Sequence, residues 1–160
     1  MELITKKTVI TSSLLVMLFF SCTKGEKQID EVKPSIDLSF ASAFPKSCAK
    51  IKKGGLLHFK ARFTDNEALG SYAIDIHNNF DHHTHDNYEI QCDLGPKKLP
   101  KRPFIYMKNF SIEGTVKSYE AAVSIPIPNA IDVGDYHFEI RVTDQTGWQK
   151  RQAVDIKITE

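Results

Sequence analysis

The stretch Leu57-His58-Phe59-Lys60-Ala61-Arg62-Phe63 alternates apolar and polar side chains without a break. Successive side chains of an extended chain point to opposite faces, so this pattern predicts a β-strand with one face buried and one in water. The same period of two returns at Tyr72, Ile74 and Ile76, at Tyr136, Phe138, Ile140 and Val142, and at Val154, Ile156 and Ile158. Ile36, Leu38 and Phe40 repeat it nearer the start. Turn-forming residues stand between the runs: Lys53-Gly54-Gly55, Thr64-Asp65-Asn66, Gly95-Pro96, Val133-Gly134-Asp135 and Asp144-Gln145-Thr146-Gly147.

The strand–Asp-turn–strand pattern resembles bacterial immunoglobulin-like domains, and the spacing predicts an all-β antiparallel β-sandwich of about seven strands. They fall near residues 36–40, 55–64, 71–77, 88–93, 103–112, 119–127, 135–143 and 151–159. The conserved disulfide of antibody domains is not matched, so only the architecture carries over.

The N-terminus has a different character. Lys6 and Lys7 precede an apolar run from Val9 to Phe20, and Ser21 and Cys22 follow. A basic end, an apolar centre and a small residue before the cut form a secretory signal pattern. The run is well short of the roughly 20 residues that span a bilayer as a helix. Phe19-Phe20-Ser21-Cys22 resembles a bacterial lipobox, with Phe where Leu is commoner. That resemblance implies cleavage before Cys22 and acylation of its thiol and amine; plain secretion and an uncleaved anchor are the alternatives. The expected organisation is a lipoprotein signal peptide at 1–21, a flexible tether at 22–33 and the β-sandwich domain at 34–160. Lipid on Cys22 would hold the domain at the cell envelope, on the outer membrane.

Composition narrows the classes further. The chain has 160 residues, 41% hydrophobic and 26% charged, which suits a packed domain rather than a disordered one. It carries 21 Lys+Arg against 20 Asp+Glu, a net charge of +1. Loss of residues 1–21 would remove Lys6, Lys7 and Glu2 and bring that balance to zero. A neutral domain is not expected to bind nucleic acid or to steer charged ligands from afar. Three cysteines without CxxC spacing exclude a zinc knuckle. With Cys22 assigned to lipid, Cys48 and Cys92 remain. They form a disulfide in an oxidising compartment, or stay buried thiols, or Cys92 serves a metal.

The chemistry concentrates in Ile76-His77-Asn78-Asn79-Phe80-Asp81-His82-His83-Thr84-His85-Asp86-Asn87, where four of six histidines fall within nine residues. Imidazole is the commonest protein metal ligand and suits zinc, copper or nickel. Strand 71–77 buries Tyr72, Ile74 and Ile76, so His77 points outward. Strand 135–143 buries Tyr136, Phe138, Ile140 and Val142, so His137 points outward too. In an immunoglobulin-like sandwich these two strands are neighbours, which sets His77 beside His137. The loop with His82, His83 and His85 can fold back over that pair. The expected ligands are His77, His82, His85 and His137, with His83 and Asp81 as substitutes, around zinc or copper. A solvated histidine loop without a metal, or one used for protein contact, is the competing reading. His58 lies on an outer strand face without a partner run.

Together, LGSYAIDIHNNFDHHTH at 69–85 and GDYHFEIRVTDQTGW at 134–148 resemble the family of domain of unknown function 4625. These are mostly Bacteroidetes lipoproteins with an immunoglobulin-like domain. The resemblance covers about residues 30–160 and implies a fold and an envelope location, but no activity. Relatives often carry further histidines before the strand ending in I-P-I-P. Here that place reads Ser118-Tyr119-Glu120-Ala121-Ala122, which implies a smaller site.

No catalytic constellation stands out: G-x-S-x-G and H-E-x-x-H are both missing. Asp81 or Glu139 would have to act as the base of a metal hydrolase. Asp65, Asn66, Glu67 and Asp144 sit in sandwich-end turns without dense calcium-ligand spacing and read as turn formers. Trp148 reads equally as a core residue or a stacking platform. The expected function is therefore a non-catalytic envelope lipoprotein that binds a transition metal, with the membrane and an outer-membrane transporter or other envelope protein as partners. A protein- or glycan-interaction module is the alternative, and a metal-dependent hydrolase the third.

Overall fold

The computed structural model describes residues 29–84 and 92–160. The expected signal peptide, Cys22, His85 and Asp86 lie outside the described residues. Eight strands follow in order: β1 (Ser35–Asp37), β2 (Ala49–Lys52), β3 (Leu56–Thr64), β4 (Leu69–Asn78), β5 (Tyr106–Ser111), β6 (Ser118–Pro126), β7 (Gly134–Asp144) and β8 (Gln149–Thr159). They form a three-stranded sheet, β1-β3-β6, and a five-stranded sheet, β2-β8-β7-β4-β5. Among the described residues no helix is long and apolar enough to cross a membrane.

The period of two explains the layering. Leu57, Phe59, Ala61 and Phe63 of β3 are buried, as are Tyr72, Ile74 and Ile76 of β4 and Tyr136, Phe138, Ile140 and Val142 of β7. The two sheets meet through aromatic contacts: Phe59 lies 5.4 Å from Phe138 and Phe63 lies 5.2 Å from Tyr72, between ring centroids. Burying such large apolar side chains is the main force holding the sheets together, at about 1.5–3 kcal/mol each. The chain is thus an all-β sandwich, as the alternation predicts.

Three details differ from expectation. The sheets are not wholly antiparallel, because β2 runs parallel to β8 at the sheet edge. No sequence pattern announces β2: of its four residues only Ile51 is buried, so it carries no alternation to read. The strand expected at 88–93 falls mostly outside the described residues, and Cys92 and Asp93 are not in a strand.

One polar device fixes the approach to β7. Tyr136 is fully buried, and its hydroxyl donates to the Asp132 carbonyl at 2.6 Å and accepts the Phe104 N–H at 3.1 Å. Asp132 in turn accepts the N–H groups of Lys101 and Arg102 at 2.6 and 2.7 Å, and these bonds hold its carboxyl below the usual carboxylate range. The 95–104 connection is thereby tied to the sheet end from which the histidine loop leaves.

Candidate metal centre

The histidine site is built on the β4–β7 ladder. The two strands pair antiparallel, and His77 is directly opposite His137. Next across the sheet, His137 is directly opposite Asp155 of β8. Because period 2 keeps one face, Asp75 stands beside His77 on the same side of β4. Register alone therefore gathers two histidines and two aspartates on one outer patch of the sheet.

The loop after β4 covers this patch. The Asn79 N–H bonds to the Asp135 carbonyl at 2.8 Å, and Phe80 is buried with its ring edge-on to Tyr136 at 5.3 Å. Gly134 makes room for Phe80: a Cβ there would lie 3.0 Å from the ring, and the residue has φ +135°. His82 then takes φ 61°, a left-handed conformation in which histidine is enriched, and reverses the chain. That reversal decides which imidazole faces the sheet. His82 turns its Nε2 to the Gly95 carbonyl at 2.9 Å, while His83 falls onto the strand pair.

Three imidazoles cluster. Ring centroids are 5.5 Å apart for His77 and His137, 5.5 Å for His77 and His83, and 5.0 Å for His83 and His137. Three imidazoles bound through one nitrogen each to a single tetrahedral ion, at about 2.0–2.1 Å per bond, would hold their centroids roughly 5 Å apart. The observed triangle has that size.

Each ring is also met by a carboxylate at the same atom. His77 Nδ1 is 2.9 Å from Asp75 Oδ1, His83 Nδ1 is 2.6 Å from Asp81 Oδ1, and His137 Nδ1 is 2.9 Å from Asp155 Oδ1. At His77 and His83 the aspartate hydrogen-bonds Nδ1, which fixes the tautomer and ring orientation and would present Nε2 to a metal, the arrangement that metal-binding histidines use. The His83 hydrogen bond holds the Asp81 carboxyl below the usual carboxylate range. His137 and Asp155 are buried, at 0% and 3% exposure, whereas His77 and His83 are partly open to solvent. His137 Nε2 donates to the His83 carbonyl at 3.1 Å, so a metal there would have to take the place of that proton and move the carbonyl aside.

The structure thus brings together His77 and His137 from the expected set, adds His83 from the substitutes, and turns His82 aside. Asp81 contacts His83 rather than standing as a ligand of its own, and His85 lies outside the described residues. Asp75 and Asp155 were not singled out from sequence. Asp75 is visible there as the residue two before His77, whereas Asp155 needs the β7–β8 register. His58 sits on the other sheet, 3.1 Å from Ser124 Oγ.

Cys48 and Cys92 are joined, with Cα atoms 5.4 Å apart. The Cys48 N–H also bonds to the Asp155 carbonyl at 2.8 Å. The bridge therefore fastens the far end of the histidine loop beside the carboxylate that meets His137.

A family model described as Domain of unknown function (DUF4625) matches residues 20–159. No curated protein matches the chain in sequence. Among solved structures, the sporulation control protein Spo0M of Bacillus subtilis is similar over 80% of this chain and 49% of its own, with 8% identity and a TM-score of 0.44. The chain spans about half the length of that protein.

Proposed function

The chain belongs to the family of domain of unknown function DUF4625, and from that premise we propose that it is a cell-envelope lipoprotein whose β-sandwich binds zinc or copper through His77, His83 and His137. The observation that carries this reading is the triangle of imidazoles, 5.0–5.5 Å apart, each with an aspartate on Nδ1. Nitrogen donors of this kind favour zinc or copper over calcium or magnesium. The signal pattern and Cys22 supply the reason for an envelope location and a lipid anchor. The module binds rather than catalyses, and metal handed to or taken from a neighbouring envelope protein is the use that suits an anchored site.

Elemental analysis of the purified full chain, with thermal unfolding in added zinc or copper, tests the reading. One equivalent of metal and a raised unfolding temperature are expected, both lost in His77→Ala/His137→Ala. Absence of stoichiometric metal together with no thermal shift overturns it.

The protein-interaction reading has one observation in its favour. Leu99 and Ile105 are 87% and 66% exposed on the segment that leads into edge strand β5, and Met107 within β5 is 72% exposed. On that reading, Met107→Glu abolishes capture of an envelope partner while leaving metal content unchanged.

A further inference from the structure

We propose a second cation site of a different kind, in which Asp30, Asp65 and Asp144 take calcium at the end of the sandwich. One carboxylate oxygen from each residue lies within 4.8 Å of the others. Clustered acids alone would not make a site, but the hydrogen bonding here is lopsided. Asp144 is 4% exposed. Its Oδ1 accepts the N–H groups of Thr146, Gly147 and Trp148 at 2.9, 2.7 and 2.9 Å and the Thr146 hydroxyl at 2.8 Å. Its Oδ2 is buried and has no hydrogen-bond partner among the described residues. Asp65 repeats the pattern. Its Oδ2 accepts the N–H groups of Glu67 and Ala68, both at 2.8 Å, while its buried Oδ1 has no hydrogen-bond partner among the described residues.

Turn formation therefore accounts for one oxygen of each aspartate and leaves the other unexplained. Buried carboxylate oxygens without a donor are costly, and neighbouring carboxylates repel each other. A hard cation removes both penalties at once. Oxygen ligands alone select calcium or magnesium over zinc or copper, and calcium tolerates the irregular geometry of turns.

Asp30 gives the site a consequence. It comes from the segment expected to be tether, and the chain brings it in by three contacts. Its backbone carbonyl accepts the Trp148 indole N–H at 2.8 Å, its Oδ1 accepts the Asn66 amide at 2.9 Å, and its Oδ2 lies 3.5 Å from the Thr146 hydroxyl. A cation shared by Asp30, Asp65 and Asp144 clamps the tether to the sandwich end and fixes how the domain stands from its anchor.

Trp148, the sole tryptophan, contacts Asp30 and so reports on the site. Terbium, a luminescent calcium substitute, is expected to emit on tryptophan excitation of the full chain and to be displaced by millimolar calcium, the affinity range of extracellular modules. Millimolar calcium is expected to raise the unfolding temperature by about 3–6 °C over EDTA. Asp30→Asn and Asp144→Asn lose both effects; the first alters a partly exposed segment and the second keeps an amide oxygen for the turn, so both fold. Trp148→Phe loses the emission but keeps the thermal shift. His77→Ala/His137→Ala keeps both, which separates this site from the histidine one. No calcium-dependent shift in the natural chain, or an equal shift in Asp30→Asn and Asp144→Asn, overturns the proposal.

Discussion

His77 and His137 face each other across β4 and β7, with ring centroids 5.5 Å apart and ring planes at 64°. Directly opposed residues of an antiparallel pair are close enough for their side chains to interact, so sheet register alone brings the two imidazoles together. The loop adds the third ring, and three aspartates orient all three.

The aspartates are the first place to probe. Asp155→Asn and Asp75→Asn are expected to weaken zinc binding about 10–100-fold while the chain stays folded. Competition with a chromophoric chelator measures the affinity, and the circular dichroism spectrum checks the fold. An unchanged affinity would mean that the carboxylates do not orient the ligands.

Proton competition gives a second prediction. Metal binding needs the Nε2 lone pair of each ring, so affinity is expected to fall steadily as pH is lowered from neutral. Asp81 acts in the same direction on the loop. Its carboxyl is depressed in the folded state by the His83 hydrogen bond, so its stabilising effect is present above its unfolded value and is lost as pH falls through the folded one. Asp81 is largely exposed, so this effect on global stability is small. Titration of metal affinity against pH, repeated with Asp81→Asn, checks both parts: the variant loses the acid-range loosening of the loop.

The Tyr136 hydroxyl offers a test of fold stability that does not depend on metal affinity. Tyr136→Phe strands the buried Phe104 N–H and removes the donor to the Asp132 carbonyl. A loss of about 1–3 kcal/mol in urea unfolding is expected.

Breaking the Cys48–Cys92 bridge should act twice. It releases a loop spanning a sequence separation of 44, for which chain entropy predicts a loss of about 4 kcal/mol. It also loosens the histidine loop beside Asp155, so Cys48→Ser/Cys92→Ser is expected to weaken metal binding as well as stability. Chemical unfolding and metal titration of the double variant read the two effects separately.

Much of this was visible in the alternating runs. Strands near 55–64, 71–77, 135–143 and 151–159 declare themselves because each buries every second residue, and that period also set His77 and His137 on one outer face. The rest depended on geometry that a linear pattern does not carry. Four-residue β2 buries only Ile51 and gives no period. His83 replaces His82 at the site because of one left-handed residue, which shifts the loop's facing by a position. Asp155 lies 18 positions from His137 and meets it only through the β7–β8 register. Asp65 and Asp144 read as turn formers, which they are, but their second oxygens are visible only once burial is known.

In the proposed site His77, His83 and His137 bind one metal through Nε2. Nitrogen-15 NMR of the histidine rings, recorded as zinc is added to the full chain, tests it most directly. The Nε2 signals of His77, His83 and His137 are expected to move together and saturate at one equivalent, with Nδ1 still protonated and His58 unmoved. Zinc that binds without shifting His77 and His137, or shifts that never saturate, would contradict it.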